Sequence, residues 1–128
     1  MSEPGPSPFT YTILRVVPSI ERGERLNVGV VLFCRQRGFL RARIGLDSER
    51  LRALAPDVPL VEVEAHLTAL ARVAEGSDGA GPIAQLPQSE RFGWLAAPSS
   101  TIVQASEVHS GLCADPAATL EGLFRRLV

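Results

Sequence analysis

The chain has 128 residues, of which 45% are apolar and 21% charged, and its net charge is −1. Such a chain can bury a core as one domain without disulfides or a structural metal, and it carries no overall pull toward nucleic acid or membrane. The charge is unevenly spread: residues 9–45 hold seven Arg and two Glu, a balance of +5, whereas residues 46–128 hold six Arg and eleven acids, a balance of −5.

Residues 1–8 carry three Pro and one Gly and read as a disordered tail before a single domain over 9–128. "FTYTILRVV" (9–17) is β-branched and aromatic, a strand that Pro18 ends, and "SIERGE" is the following turn. A second strand runs from Leu26 to about Arg35, and Gly38 turns the chain into a third, "FLRARIG" (39–45). Strict alternation places Leu26, Val28, Val30, Leu32 and Cys34 on one face of the second strand. Asn27, Gly29, Val31, Phe33 and Arg35 take the other, together with Phe39, Arg41 and Arg43 of the third. The expected sheet is oily on one side and studded with guanidinium groups on the other.

Asp47 has the character of a helix N-cap for "SERLRALA", which Pro56 stops. Pro59 opens a longer helix whose Leu60, Val63, Leu67, Leu70 and Ala74 form one apolar stripe, closed by Gly76. "SERFGWLAAP" predicts one or two helical turns with Phe92 and either Leu95 or Trp94 inward. "STIVQAS" (100–106) is a fourth strand, expected beside the first, and "EVHSGLC" an irregular segment. Asp115-Pro116 starts a last helix with Leu120, Leu123, Phe124 and Leu127 on its apolar stripe. The fold class expected is α+β: an antiparallel sheet of about four strands with two to three helices packed on one face.

The chemical motifs are few. "EGSDGAGP" lacks the Lys and Ser/Thr of a phosphate-binding loop and reads as a linker. Cys34, Cys113, His66 and His109 show no metal-ligand spacing, and no metal or cofactor is expected. His109, Ser110 and Cys113 are close in sequence, which is no evidence for a nucleophile with its base; a buried thiol and a hydrogen-bonded imidazole are the plainer reading. Gly29 suits an aromatic ring from Tyr11 or Phe39 lying over it, a bulge, or room for a ligand or partner backbone. Glu24 and Asn27 suit local satisfaction of backbone groups, and an ion pair of Glu24 with Arg15 or Arg91 is a further option. Two cysteines far apart, no signal-peptide pattern and no membrane-length apolar run point to a cytoplasmic protein with reduced thiols.

Four stretches taken together, "YTILRVVPSIERGERLNVGVVLFC", "ERFGWLAAPSSTIVQAS", "VHSGLCADP" and "LEGLFRRLV", resemble the bacterial DUF3037 family, whose function is unknown. The most specific part is Gly23, Glu24, Asn27, Val28, Gly29 and Val30; Arg91, Phe92, Trp94 and Leu95, and then His109 and Gly111, follow the same pattern. The resemblance brings no reaction. It implies only an association with HipA-like kinases. The leading expectation is therefore a non-enzymatic protein-interaction or regulatory module that binds through Asn27, Gly29, Val31, Phe33, Arg41 and Arg43, with an acidic protein or a second copy as partner. The alternative is a small-molecule or nucleotide-binding domain, or an enzyme, drawing on Arg15, Glu24, Asn27, Arg91 and His109. Nucleic acid is the least favoured partner, since no recognised binding pattern accompanies the basic hairpin.

Overall fold

The computed structural model describes residues 5–99 and 101–128. Among them are five strands, β1 (Ser7–Val16), β2 (Leu26–Cys34), β3 (Phe39–Ile44), β4 (Val103–Ala105) and β5 (His109–Cys113). Four α-helices accompany them: α1 (Ser48–Leu54), α2 (Leu60–Glu75), α3 (Gln88–Ala96) and α4 (Pro116–Leu127). The fold is α+β and every strand pairing is antiparallel. β1, β2 and β3 form the expected meander, and β4 lies beside β1 as expected. Gly23 and Gly38, at φ 71° and 58°, supply the left-handed backbone that the two connecting turns require.

Two boundaries differ from the sequence reading. Of the expected tail, residues 1–4 lie outside the described residues, and Ser7 and Pro8 already belong to β1. The segment expected to be irregular is β5, which pairs with Ser7–Tyr11 while β4 pairs with Leu14–Val16. A ten-residue β1 offers an edge that the three residues of β4 do not cover, and that open edge recruits Ser110 and Gly111 despite their low strand propensity. Ser106 makes the joint. Its hydroxyl accepts from the Ile13 amide at 2.8 Å, and the Thr12 hydroxyl donates to the Ser106 carbonyl at 2.7 Å. Buried polar groups are thereby satisfied where the strand breaks.

The largest departure lies in β2. Leu14 pairs with Gly29 but Arg15 pairs with Asn27, so Val28 is an extra residue in a β-bulge. Side-chain parity reverses there. Leu26 and Val28 share a cluster with Val31, Leu40, Val63, Leu67, Phe92 and Leu95, under α2 and α3. Val30, Leu32 and Cys34 join Phe9, Cys113, Leu120 and Leu123 under α4. The sheet thus has helices on both faces rather than one. Asp47 accepts from the Glu49 and Arg50 amides, and Asp115 from those of Ala117 and Ala118, so α1 and α4 start at the capping residues legible in sequence. In α3, Phe92 and Leu95 turn inward and Trp94 is 45% exposed.

Gly29 sits where β3 approaches most closely. A Cβ there would lie 3.0 Å from the Arg43 carbonyl oxygen and 2.8 Å from Ile44 Cδ1. The neighbour is therefore β3 and not an aromatic ring, and the space is already filled by the chain itself. Gly29→Ala is expected to lower stability by about 1–3 kcal/mol through overpacking. A urea midpoint unchanged by the substitution would contradict this placement.

Candidate functional site

The six residues expected to share a partner-binding surface do not share one. Gly29, Val31 and Phe33 stand opposite Ile44, Ala42 and Leu40 and face α2 and α3. Val31 is 0% exposed, and the Phe33 ring stacks on Phe92 with centroids 5.6 Å apart. Asn27, Arg41 and Arg43 point to the α4 side. Arg43 donates from Nε to Glu121 Oε1 at 2.8 Å and lies 4.3 Å above the Phe124 ring, so α4 itself takes its charge and its planar face. Arg41 rests 5.5 Å from the Phe39 ring centroid. Two features cause the split: the β2–β3 register sets Arg41 and Arg43 opposite Leu32 and Val30, on the α4 face, and the bulge at Val28 parts Asn27 from Gly29, Val31 and Phe33.

The alternative cluster is scattered as well. His109 stands opposite Tyr11, its ring tilted over the tyrosine at 5.2 Å, on the α4 side. Arg91 is buried on the other side of the sheet, where Nη1 donates to the Val73 and Ala74 carbonyls at 3.4 and 3.5 Å. These are end carbonyls of α2, so the guanidinium sits at the negative end of a helix. Gly76 is needed beside it, because it adopts φ 69° and a Cβ there would overlap Arg91 Nη1. Glu24 pairs with Arg22 and neither Arg15 nor Arg91. Asn27 does not serve the local turn: its Nδ2 donates to the Leu127 carbonyl at 3.0 Å, and its Oδ1 accepts from Arg15 Nε at 3.2 Å. Among the described residues no group of three or more His, Cys, Asp or Glu is arranged to hold a metal, and no helix is long and apolar enough to cross a membrane.

What the fold does bring together lies at the end of the sheet where β1 turns into β2. Here α1 stands across the strand ends, with the α1–α2 connection on one side and the last turn of α4 on the other. An apolar cavity of about 340 Å³ is lined by Pro18, Leu54, Pro56, Val58 and Ile102, with Arg22 and Glu24 also contributing. A smaller depression of about 260 Å³ shares Pro18, Ser19 and Ile102 with it and adds Val17 and Ile20. Ile20, at the tip of the turn, is 64% exposed. A third cavity, about 290 Å³, is polar and lined by Arg15, Arg25, Asn27, Arg50 and Val128 among others. Burial pushes the Arg15 guanidinium below its ordinary pKa, the like charge of Arg25 adds to this, and Glu107 opposes it. Arginine still remains charged across the physiological range.

Sequence reasoning singled out Arg15, Glu24 and Asn27 from this end but missed Ile20, Arg25 and Arg50. The available signal was Ile20, an apolar residue in the otherwise polar turn "SIERGE".

The capping role of Arg91 has a measurable signature. Its bonds are long and the side chain is buried, so Arg91→Met is expected to cost less than about 1 kcal/mol, desolvation relief offsetting the lost donors. Arg91→Glu, which sets a like charge against the α2 terminus, is expected to cost roughly 2 kcal/mol more. Equal unfolding midpoints for the two variants would contradict the role.

Comparisons with curated proteins and with solved structures return no match. A family model, "Protein of unknown function (DUF3037)", matches residues 11–128, nearly the whole of the chain described above, and the chain belongs to that family.

Proposed function

We propose that the protein is a non-enzymatic interaction module whose turn end docks a partner protein. The observation that carries this reading is Ile20, exposed on the smaller of two depressions that share Pro18, Ser19 and Ile102. A single exposed Ile is ordinary on a protein surface. An exposed Ile beside an apolar cavity of about 340 Å³ with the Arg22–Glu24 ion pair at its edge has the layout of a docking site: an apolar centre inside a charged rim. Such centres take an apolar anchor from the partner and carry most of the binding energy. The partner segment would offer one large aliphatic or aromatic side chain to the cavity and an apolar contact to Ile20.

The cavity also argues for binding over proton chemistry. Its lining is mostly apolar carbon; of its three charged side chains, Arg22 and Glu24 are engaged with each other and Asp57 is exposed to solvent. The family resemblance makes a HipA-like kinase of the bacterial cytoplasm the first partner to test. Regulation of such an enzyme would follow if docking occluded or ordered one of its loops.

The test is co-expression of the chain with a HipA-like kinase from the same genome, followed by purification through a tag on one component. A stoichiometric complex is expected, and Ile20→Glu should weaken it at least about tenfold, because a charge cannot be buried in the apolar contact without a partner. The site of substitution is exposed, so the variant should keep the unfolding midpoint of the parent. No complex with the parent chain, or an equally tight complex with the variant, would overturn the reading.

A further inference from the structure

We propose that the arginine-lined cavity at the end of α4 is a binding site for the phosphate group of a small phosphomonoester. The inference does not rest on the partner reading: this cavity and the apolar one have no lining residue in common.

Its cations come from three separate elements. Arg15 lies on β1, Arg25 immediately precedes β2, and Arg50 lies on α1. The Asn27 side chain orients the first of them. It accepts from Arg15 Nε at 3.2 Å and is itself anchored by donating to the Leu127 carbonyl at 3.0 Å. That leaves both terminal nitrogens of Arg15 without a hydrogen bond among the described residues. The side chains of Arg25 and Arg50 likewise have no hydrogen bond there, and none of the three has a carboxylate within ion-pair distance; the ion pairs found are Arg22–Glu24 and Arg43–Glu121. Arg43 is held by Glu121, Arg91 by the end of α2 and Arg72 by the Asp78 carbonyl; Arg15, Arg25 and Arg50 differ from other unpaired surface arginines, such as Arg35, Arg52 and Arg126, in lining one cavity together.

Three like charges around one cavity repel, and Arg15 feels this directly through Arg25. The arrangement is favourable once an anion enters. A carboxylate matches the fork of a single guanidinium, whereas a phosphate presents three terminal oxygens and can take forks from several directions. The cavity, at about 290 Å³, falls at the small end of the range for organic ligands, which suits a phosphate carried on a compact body better than a bare ion. Asn27 holds the floor in place, so the site is assembled before the ligand arrives. It also ties ligand binding to the last turn of α4, since the residue that orients Arg15 is the residue that holds Leu127.

The test uses the full chain with inorganic phosphate as probe, and acetate and chloride at matched ionic strength as controls. Binding is read from the Arg15 Nε–H resonance in ¹⁵N-edited NMR spectra. A saturable shift with phosphate is expected, with acetate weaker by about tenfold or more. Arg25→Gln and Arg50→Gln should each weaken phosphate about tenfold, the loss of one charge-assisted contact. Arg126→Gln, an exposed charge that does not line the cavity, should leave affinity unchanged. A shift that does not saturate, or one that acetate matches, would overturn the proposal, the latter by showing that any carboxylate suits the cavity, the chain's own included. Undiminished affinity in both cavity variants would overturn it as well.

Discussion

Between Asn27 and Gly29 the second strand carries one residue more than its neighbour, and the consequences of Val28 run through the rest of the molecule. Because side chains alternate with a period of two, an inserted residue exchanges the faces of everything beyond it. Leu26 and Val28 go to the α2–α3 side, Val30, Leu32 and Cys34 to the α4 side, and Val31 and Phe33 return to the first. The central strand is then apolar on both faces, and both need cover. α4, the most amphipathic segment after the meander, supplies it on one side, with Leu120 and Leu123 buried and Phe124 beneath Arg43. An antiparallel sheet open to water on one face becomes a sheet between two layers of helix.

That arrangement decides where the surface has anything left to offer. The middle of each face is occupied by helices, and Arg43 is engaged by α4. The turn end is different. Strand ends, the short α1 and the last turn of α4 meet there without filling the space between them, leaving an apolar cavity on one flank and an arginine-lined one on the other. Asn27 stands at the junction, one residue before the bulge, and bonds at once to β1 and to the end of α4. The bulge therefore does two things: it closes the faces, and it sets the polar residue preceding it toward the cleft between β1 and α4.

What was legible in the sequence was local. Asp47 and Asp115 cap the helices they announce, Gly38 and Gly76 end elements where a left-handed residue is needed, and the stripe Val63–Leu67–Ala74 is buried as its spacing implies. The meander followed from short turns between β-branched runs. What was not legible depends on pairing between distant segments. Gly29 hinted at an irregularity, yet only the register against β1 shows that Val28 is the extra residue. β5 was hidden because Ser110 and Gly111 are poor strand formers that an unfilled edge recruits. The amphipathic stripe of α4 stated that the helix would bury a face but not which face of the sheet it would cover. Arg15, Arg25 and Arg50 span 36 residues of chain, and no spacing rule links them. Asn27 drew attention in sequence for a local role, whereas its partner is Leu127, a hundred residues away.

Parity reverses at Val28, and methyl-labelled NMR can show it. In a chain of this size the valine and leucine methyls can be assigned and their mutual NOEs measured. Val28 and Val31 are expected to show NOEs within the cluster that holds Val63 and Leu67, and Val30 and Leu32 within the one that holds Leu120 and Leu123. If Val28 and Val30 instead report to the same helix, the strand has no bulge and the two-sided burial of β2 is wrong.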